Sequence, residues 1–273
     1  MAADVEGAAY EKAIIRILRS AIRDNKDIKL APARSRSSSD STTSDVTLKL
    51  FNSYSLHIEL KKDARAQMGG GSYNYAQDYG AGGGTYKESS TTKIDKGINE
   101  EYIKILNSKR VPLNRIIDYV KENETIPELS KKAQGLPITV TAKVWEKAKS
   151  KGLLIPLNTY VKTNTEFVYN HYRRKNCYYI QIGGRGFYYL KSNPLNLPIP
   201  QLRGNLTVEL RLGASGQRMN TTHKTMLVGA NIRAQGRLGG DYDPSPFTLE
   251  NADDYDALFG KLTKNDASVL AGL

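Results

Sequence analysis

Residues 56–62, Leu-His-Ile-Glu-Leu-Lys-Lys, alternate apolar and polar side chains and close on an acid and a lysine two positions apart, Glu59 and Lys61. On an extended strand, residues two apart project from one face, so this carboxylate and this ammonium can reach one phosphate together. Hydrolysing a phosphodiester requires an activated water, a Lewis acid on the phosphoryl oxygens and stabilisation of the negative charge that builds up. Two carboxylates holding Mg²⁺ beside a lysine can supply all three. The same acid-x-lysine spacing occurs at Asp24-Asn25-Lys26 and Asp27-Ile28-Lys29, in the polar sequence after the first helix. Only the Glu59-Leu60-Lys61 triplet falls on a strand-like alternation. The competing reading is a solvated ion pair on an ordinary strand.

Positioning such a pair needs a scaffold, and the flanking sequence describes one. Ile14, Ile15, Leu18, Ala21 and Ile22 recur at the spacing of one helical face, which predicts an N-terminal helix ending near Asn25. Arg34 to Asp45, rich in Ser and Thr, cannot build a core and reads as a loop. Val46, Leu48 and Leu50, then Leu56, Ile58 and Leu60, are the apolar sides of two alternating runs split by Phe-Asn-Ser-Tyr-Ser, the pattern of an antiparallel hairpin. A three-residue turn at Asn52 to Tyr54 places Thr47 opposite Glu59 and Asp45 opposite Lys61, bringing Asp45 to the charged face. A two-residue turn places Asp45 opposite Leu60 instead.

These residues resemble the PD-(D/E)xK nuclease superfamily, whose core is a helix followed by a mixed sheet carrying an aspartate and then a (D/E)-x-K triplet. Asp45 corresponds to the aspartate, with Ser44 in place of the proline, and Glu59 and Lys61 fill the triplet. Gly7 to Glu11 looks like the glycine-and-glutamate start of the first helix in many members. The resemblance covers residues 7 to 62 and implies an α/β (α+β), restriction-endonuclease-like core of a mixed sheet flanked by helices. It implies that Asp45 and Glu59 ligate Mg²⁺, with Mn²⁺ as a substitute, assisted by the Leu60 carbonyl, that Lys61 positions the nucleophilic water, and that Glu11 supports a metal from the helix. Asp40 competes with Asp45 for its role. Two active sites are needed to cut both strands, so the resemblance also implies a homodimer.

Beyond the hairpin, residues 66–86 hold seven of the 23 glycines and read as a flexible flap. Residues 98 to 152 show helical spacing, with Thr141 as a start signal and Gly152 as a stop. Thr165 to Tyr172, Asn176 to Leu190, Gly204 to Gly213 and Thr225 to Leu238 read as strands. The resulting division is 1–86 for the N-terminal part of the catalytic core, 87–155 for a helical segment, 156–240 for a basic β-rich region completing the core and binding DNA, and 241–273 for an acidic tail with one short helix near Asp253 to Leu262.

Charge points to a partner. The formal net charge is +12, and Val161 to Gly239 carries twelve Lys and Arg against Glu166 and Glu209, whereas residues 241–273 hold seven acids against two lysines. Such a basic body interleaved with tyrosines suits a polyanion. Arg173, Arg174, Lys175 and Arg185 are the leading DNA-contact candidates, around a tyrosine-rich hairpin (Tyr169, Tyr172, Tyr178, Tyr179, Tyr188, Tyr189), with Arg211 and Arg218 a second clamp. The single Cys177 excludes an internal disulfide framework, and three histidines argue against a histidine-built metal cluster, His171 and His223 reading as surface or packed residues. No apolar run is long enough for a membrane span and the first residues do not read as a signal peptide, so a soluble, intracellular (cytoplasmic) protein is expected. The expected function is a Mg²⁺-dependent DNA endonuclease, site-specific on duplex. The alternatives are a structure-specific nuclease of branched DNA and a non-catalytic nucleic-acid-binding protein.

Overall fold

The computed structural model describes residues 2–32, 44–78, 83–88, 96–108, 113–126, 135–153, 159–163, 165–203, 206–239 and 242–273. In chain order the elements are α1 (Ala2–Ala21), β1 (Ile28–Leu30), β2 (Val46–Leu50), β3 (Tyr54–Lys61), β4 (Gln67–Asp78), β5 (Gly83–Glu88), α2 (Lys96–Ser108) and α3 (Asn114–Asn123). There follow β6 (Gly135–Leu136), β7 (Ile138–Thr141), α4 (Ala142–Ser150), β8 (Thr159–Thr163), α5 (Thr165–Arg173), β9 (Cys177–Ile182) and β10 (Gly186–Tyr189). The last are β11 (Leu206–Asn220), β12 (Thr225–Leu238), α6 (Asp254–Phe259) and α7 (Lys264–Ser268). The fold is mixed α+β, and the chain divides into two compact units: Met1–Gln67, Thr163–Leu206 and Arg237–Leu273 in the first, Met68–Lys162 and Thr207–Gly236 in the second. These boundaries differ from the four consecutive segments expected from composition, because strand pairing gathers distant stretches of chain.

The first unit is a five-stranded mixed sheet in the order β1-β2-β3-β9-β10. Its pairs are antiparallel except β3 with β9, which run parallel. A parallel neighbour requires a crossover connection, and the chain between β3 and β9 supplies it, ending in α5. Leu56, Ile58 and Leu60 of β3 are buried with Val46, Leu48 and Leu50 of β2 against Ile14 and Leu18 of α1. Leu249, Tyr255, Leu258, Phe259 and Ala267 join the same cluster. The acidic C-terminal stretch is therefore part of the core, and contains two short helices rather than the one expected. It is also tied to the sheet through polar groups, since the buried Gln181 accepts from the Leu249 N–H at 2.8 Å and donates to Thr248 Oγ1 at 3.0 Å.

Three expectations are corrected here. Thr165 to Tyr172 is α5, a helix and not a strand: Phe167, Val168, His171 and Tyr172 are buried while Glu166, Asn170 and Arg173, spaced by four and three, face outward. Tyr169 and Tyr172 accordingly sit on that helix, outside the β9–β10 hairpin. The hairpin between β2 and β3 turns at Phe51, Asn52 and Ser53, one residue earlier than placed, with Leu50 paired to Tyr54 and Thr47 to His57. Finally, the described part of the glycine-rich stretch is not a flap but the strands β4 and β5. Gly84 is required there by close approach, because a Cβ would run into the Tyr75 ring and the Ala76 carbonyl.

In the second unit the strand order is β5-β4-β12-β11-β8, with β6 on β4 and β7 on β12. Its helices include α4, which begins where Thr141 Oγ1 accepts the Val144 N–H at 3.2 Å and stops at Gly152, whose φ of 66° a side chain would disfavour. Residues 33–43, with Asp40, lie outside the described residues. Among the described residues, no helix is long and apolar enough to cross a membrane.

Candidate active site

The face of β3 opposite the core carries His57, Glu59 and Lys61. Its neighbours fix where Asp45 falls. The last β2–β3 pair is Val46 with Ile58, so the next position along brings Asp45 level with Glu59, two residues short of the expected Lys61. The turn moved by one residue but kept its length, so the register changed by two and the face did not change. Ser44, just ahead, is buried and its Oγ lies 3.0 Å from His57 Nδ1 and 3.2 Å from Thr47 Oγ1. That anchor delivers the Asp45 carboxylate to the strand, where Oδ2 accepts the Leu60 N–H at 2.8 Å.

Glu59 is 2% exposed, an environment that would ordinarily keep a carboxyl neutral. Two ammonium groups reverse this. Lys61 Nζ lies 2.7 Å from Glu59 Oε1, and Lys175 Nζ lies 3.3 Å from Oε2. Burial pushes the Glu59 pKa up, but the lysines outweigh it and hold the carboxyl at about 2. For Lys61, burial alone would lower the pKa, whereas Glu59 beside it raises it well above the usual lysine value. Lys61 is thus a fixed cation at neutral pH. Asp45 has the opposite bias: burial and the charge of Glu59 raise its pKa, and Lys61 only partly offsets them.

Lys175 comes from the turn joining α5 to β9, where its N–H bonds the Tyr172 carbonyl at 2.9 Å. The Tyr172 ring, fully buried, faces both ammoniums, with centroid distances of 5.8 Å to Lys61 and 5.3 Å to Lys175. His171 is buried beside it and is kept neutral, its pKa about 3, by burial and by Lys175. Cys177, the first residue of β9, is buried too, and burial raises its thiol pKa.

Of the residues singled out from sequence, Asp45, Glu59 and Lys61 come together on one face. Glu11 is half-buried on α1, the helix whose Ile14 and Leu18 pack under the other face. Arg173 and Arg174 are exposed at the end of α5, Arg185 is half-buried in the β9–β10 turn, Arg218 is exposed near the end of β11, and the side chain of Arg211 lies outside the described residues. Lys175, expected to contact DNA, pairs with Glu59. Sequence reasoning named Lys175 and Tyr172 for DNA contact but did not place them beside Glu59 and Lys61, although the three-and-four spacing of Glu166, Asn170 and Arg173 was a signal for the helix that leads into them.

Among the described residues, no group of three or more His, Cys, Asp and Glu is placed to hold a metal ion. What the site offers is two carboxylates, Asp45 and Glu59, plus the Leu60 carbonyl, which leaves the strand on the same edge as the N–H bonded to Asp45. This all-oxygen set suits Mg²⁺, which keeps several waters and needs only one or two protein carboxylates. Compared with protein-family models, with curated proteins and with solved structures, the chain finds no match in any of the three.

Proposed function

We propose that the protein is a Mg²⁺-dependent DNA endonuclease of the PD-(D/E)xK type. One observation carries the reading: Asp45, Glu59 and Lys61, 14 and 2 positions apart in sequence, share one face of a mixed sheet that follows a helix, with Glu59 held ionised although buried. Asp45 and Glu59 would hold the metal with the Leu60 carbonyl. When bound, Mg²⁺ polarises a phosphoryl oxygen and makes a bound water acidic. Asp45, whose charge is disfavoured beside Glu59, is the carboxyl that gains most from a cation nearby.

Lys61, fixed as an ammonium, orients the attacking water and stabilises charge on the phosphate rather than accepting a proton. Lys175 balances the second carboxylate oxygen of Glu59 and leaves a positive group close to the scissile phosphate. Exposed Arg173 and Arg174 on the same turn, together with Arg185, would neutralise flanking phosphates. A homodimer belongs to this reading because cutting two strands takes two such sites.

The competing reading is a non-catalytic nucleic-acid-binding protein, and the two lysines on Glu59 favour it, since they make the cluster self-neutralising without a metal. Supercoiled plasmid, branched DNA and single strands, incubated with Mg²⁺ or with EDTA, separate the two. The nuclease reading expects Mg²⁺-dependent products that Lys61→Ala does not form. Discrete fragments from linear duplex would mark a site-specific enzyme, and preference for the branch a structure-specific one. Identical products from wild type and Lys61→Ala would remove the catalytic assignment.

A further inference from the structure

The second unit contains two long strands, β11 of 15 residues and β12 of 14, joined by a turn at residues 221–224. The turn is built. Asn220 Oδ1 accepts the N–H groups of Thr222 and His223 at 3.0 and 3.1 Å, Thr225 Oγ1 donates to the His223 carbonyl at 2.9 Å, and Lys224 takes a φ of 47°. From Leu210 to Leu238 the sequence has no Asp or Glu, against Arg211, Arg218, Lys224, Arg233 and Arg237.

The exposed large apolar side chains of the described residues are Val5, Met219, Met226, Val269 and Leu273. Three of these lie within five residues of an end of the sequence. The other two, Met219 at 56% exposure and Met226 at 37%, flank the turn, one position inside each strand end. Exposed Arg218 and Lys224 stand beside them. Two apolar side chains exposed to water beside a hydrogen-bonded turn, with Arg218 and Lys224 next to them, are unfavourable in the free protein and become favourable in a partner that is both anionic and internally apolar.

We infer that this ribbon is a duplex-DNA arm, with Met219 and Met226 entering between base steps as apolar wedges and Arg218 and Lys224 neutralising the adjoining phosphates. This rests on the reading of the protein as one that acts on DNA. Two-stranded ribbons enter the minor groove as well as the major one, and methionine is among the side chains that wedge open base steps from the minor groove, which is where this arm would act. Arg233 and Arg237 follow further along β12, so cations are distributed over the length of the strand. Charges spread along such a length match a polyanion, whereas an anionic lipid surface would select cations at one level.

The test uses the full chain in EDTA and a short mixed-sequence duplex carrying 2-aminopurine. Wild type should bind and raise the 2-aminopurine fluorescence as bases unstack. Met219→Ala/Met226→Ala should lose that rise while still binding. Arg218→Ala/Lys224→Ala should keep the unfolding midpoint and lower the slope of log affinity against log salt by about 2, roughly 0.9 for each phosphate contact removed. The arm is refuted by absence of duplex binding, by both variants matching wild type, or by preference for phosphatidylserine vesicles over duplex. Neither variant touches Asp45, Glu59 or Lys61, so failure of the nuclease reading would show separately, as wild-type protein that binds duplex in EDTA but leaves plasmid intact in Mg²⁺.

Discussion

The two faces of β3 obey different physics. On one, Leu56, Ile58 and Leu60 lie in a packed cluster, and each fully buried side chain contributes on the order of 1.5–3 kcal/mol by leaving water. On the other, one residue along in each case, Glu59 is as deeply buried as its neighbours yet ionised, with two lysines and an aspartate around it. Replacing a buried ion pair by well-packed apolar groups often stabilises a protein, so stability does not account for this face. The apolar face explains why the strand is where it is. The charged face is the one on which the proposed chemistry rests.

Glu59→Ala breaks this contrast most severely, because it leaves Lys61 and Lys175 without their buried counter-charge; denaturant titration should show a loss of about 3–5 kcal/mol. On the apolar face, Ile58→Val should cost only about 0.5–1.5 kcal/mol in the same titration. Lys175→Ala is expected to slow plasmid cleavage about tenfold, near 1.4 kcal/mol of transition-state stabilisation, while Lys61 keeps Glu59 ionised. If cleavage is untouched, Lys175 serves the fold alone.

Asp45→Asn has the smallest effect on stability and sharpens the contrast by its sign. The raised Asp45 pKa means that its contribution to stability is fully present below the ordinary value of 3.8 and is lost as pH rises through the folded value. Asparagine avoids that loss and can still accept the Leu60 N–H, so the variant should unfold at a higher temperature than wild type at neutral pH, with the difference gone below pH 3.8. Glu59 works the other way: its stabilisation is present above about 4.5 and is lost as pH falls through about 2. Mg²⁺ should raise the midpoint of wild type, adding about 2.7 kcal/mol of stability at a hundredfold excess over its dissociation constant, and leave that of Asp45→Asn unchanged. A midpoint that responds equally in both would place any metal elsewhere.

Much of this site was legible in the sequence, and the parts that were not have identifiable causes. Period-two alternation fixed the faces of β2 and β3. The start of the turn at Phe51 was hidden because Phe51 and Asn52 both adopt positive φ, at 53° and 56°, a conformation that asparagine tolerates and phenylalanine gives no sign of. Because the turn length was right, the error moved Asp45 along the strand without removing it from the face. In α5, aromatic and β-branched residues suggested a strand, but burial on a helix face accepts them equally well, and tertiary packing overrode composition. Lys175 was read as a DNA contact, and nothing in the sequence put it beside Glu59. Its contact with Glu59 spans 116 positions and depends on the parallel pairing of β3 with β9, which no local pattern encodes. The glycine-rich strands misled for a related reason: Gly84 reads as freedom in a single chain, while in the sheet it makes room for Tyr75.

The central claim is that the charged face of β3 performs Mg²⁺-dependent phosphodiester hydrolysis and the apolar face only supports it. The most direct measurement is the initial rate of supercoiled-plasmid nicking in Mg²⁺ for Lys61→Ala and for Ile58→Val, each corrected for the fraction folded. The account predicts a drop of at least about 100-fold for Lys61→Ala, the scale of losing one charge-stabilising donor, and a rate near wild type for Ile58→Val. Equal rates for Lys61→Ala and wild type would contradict it.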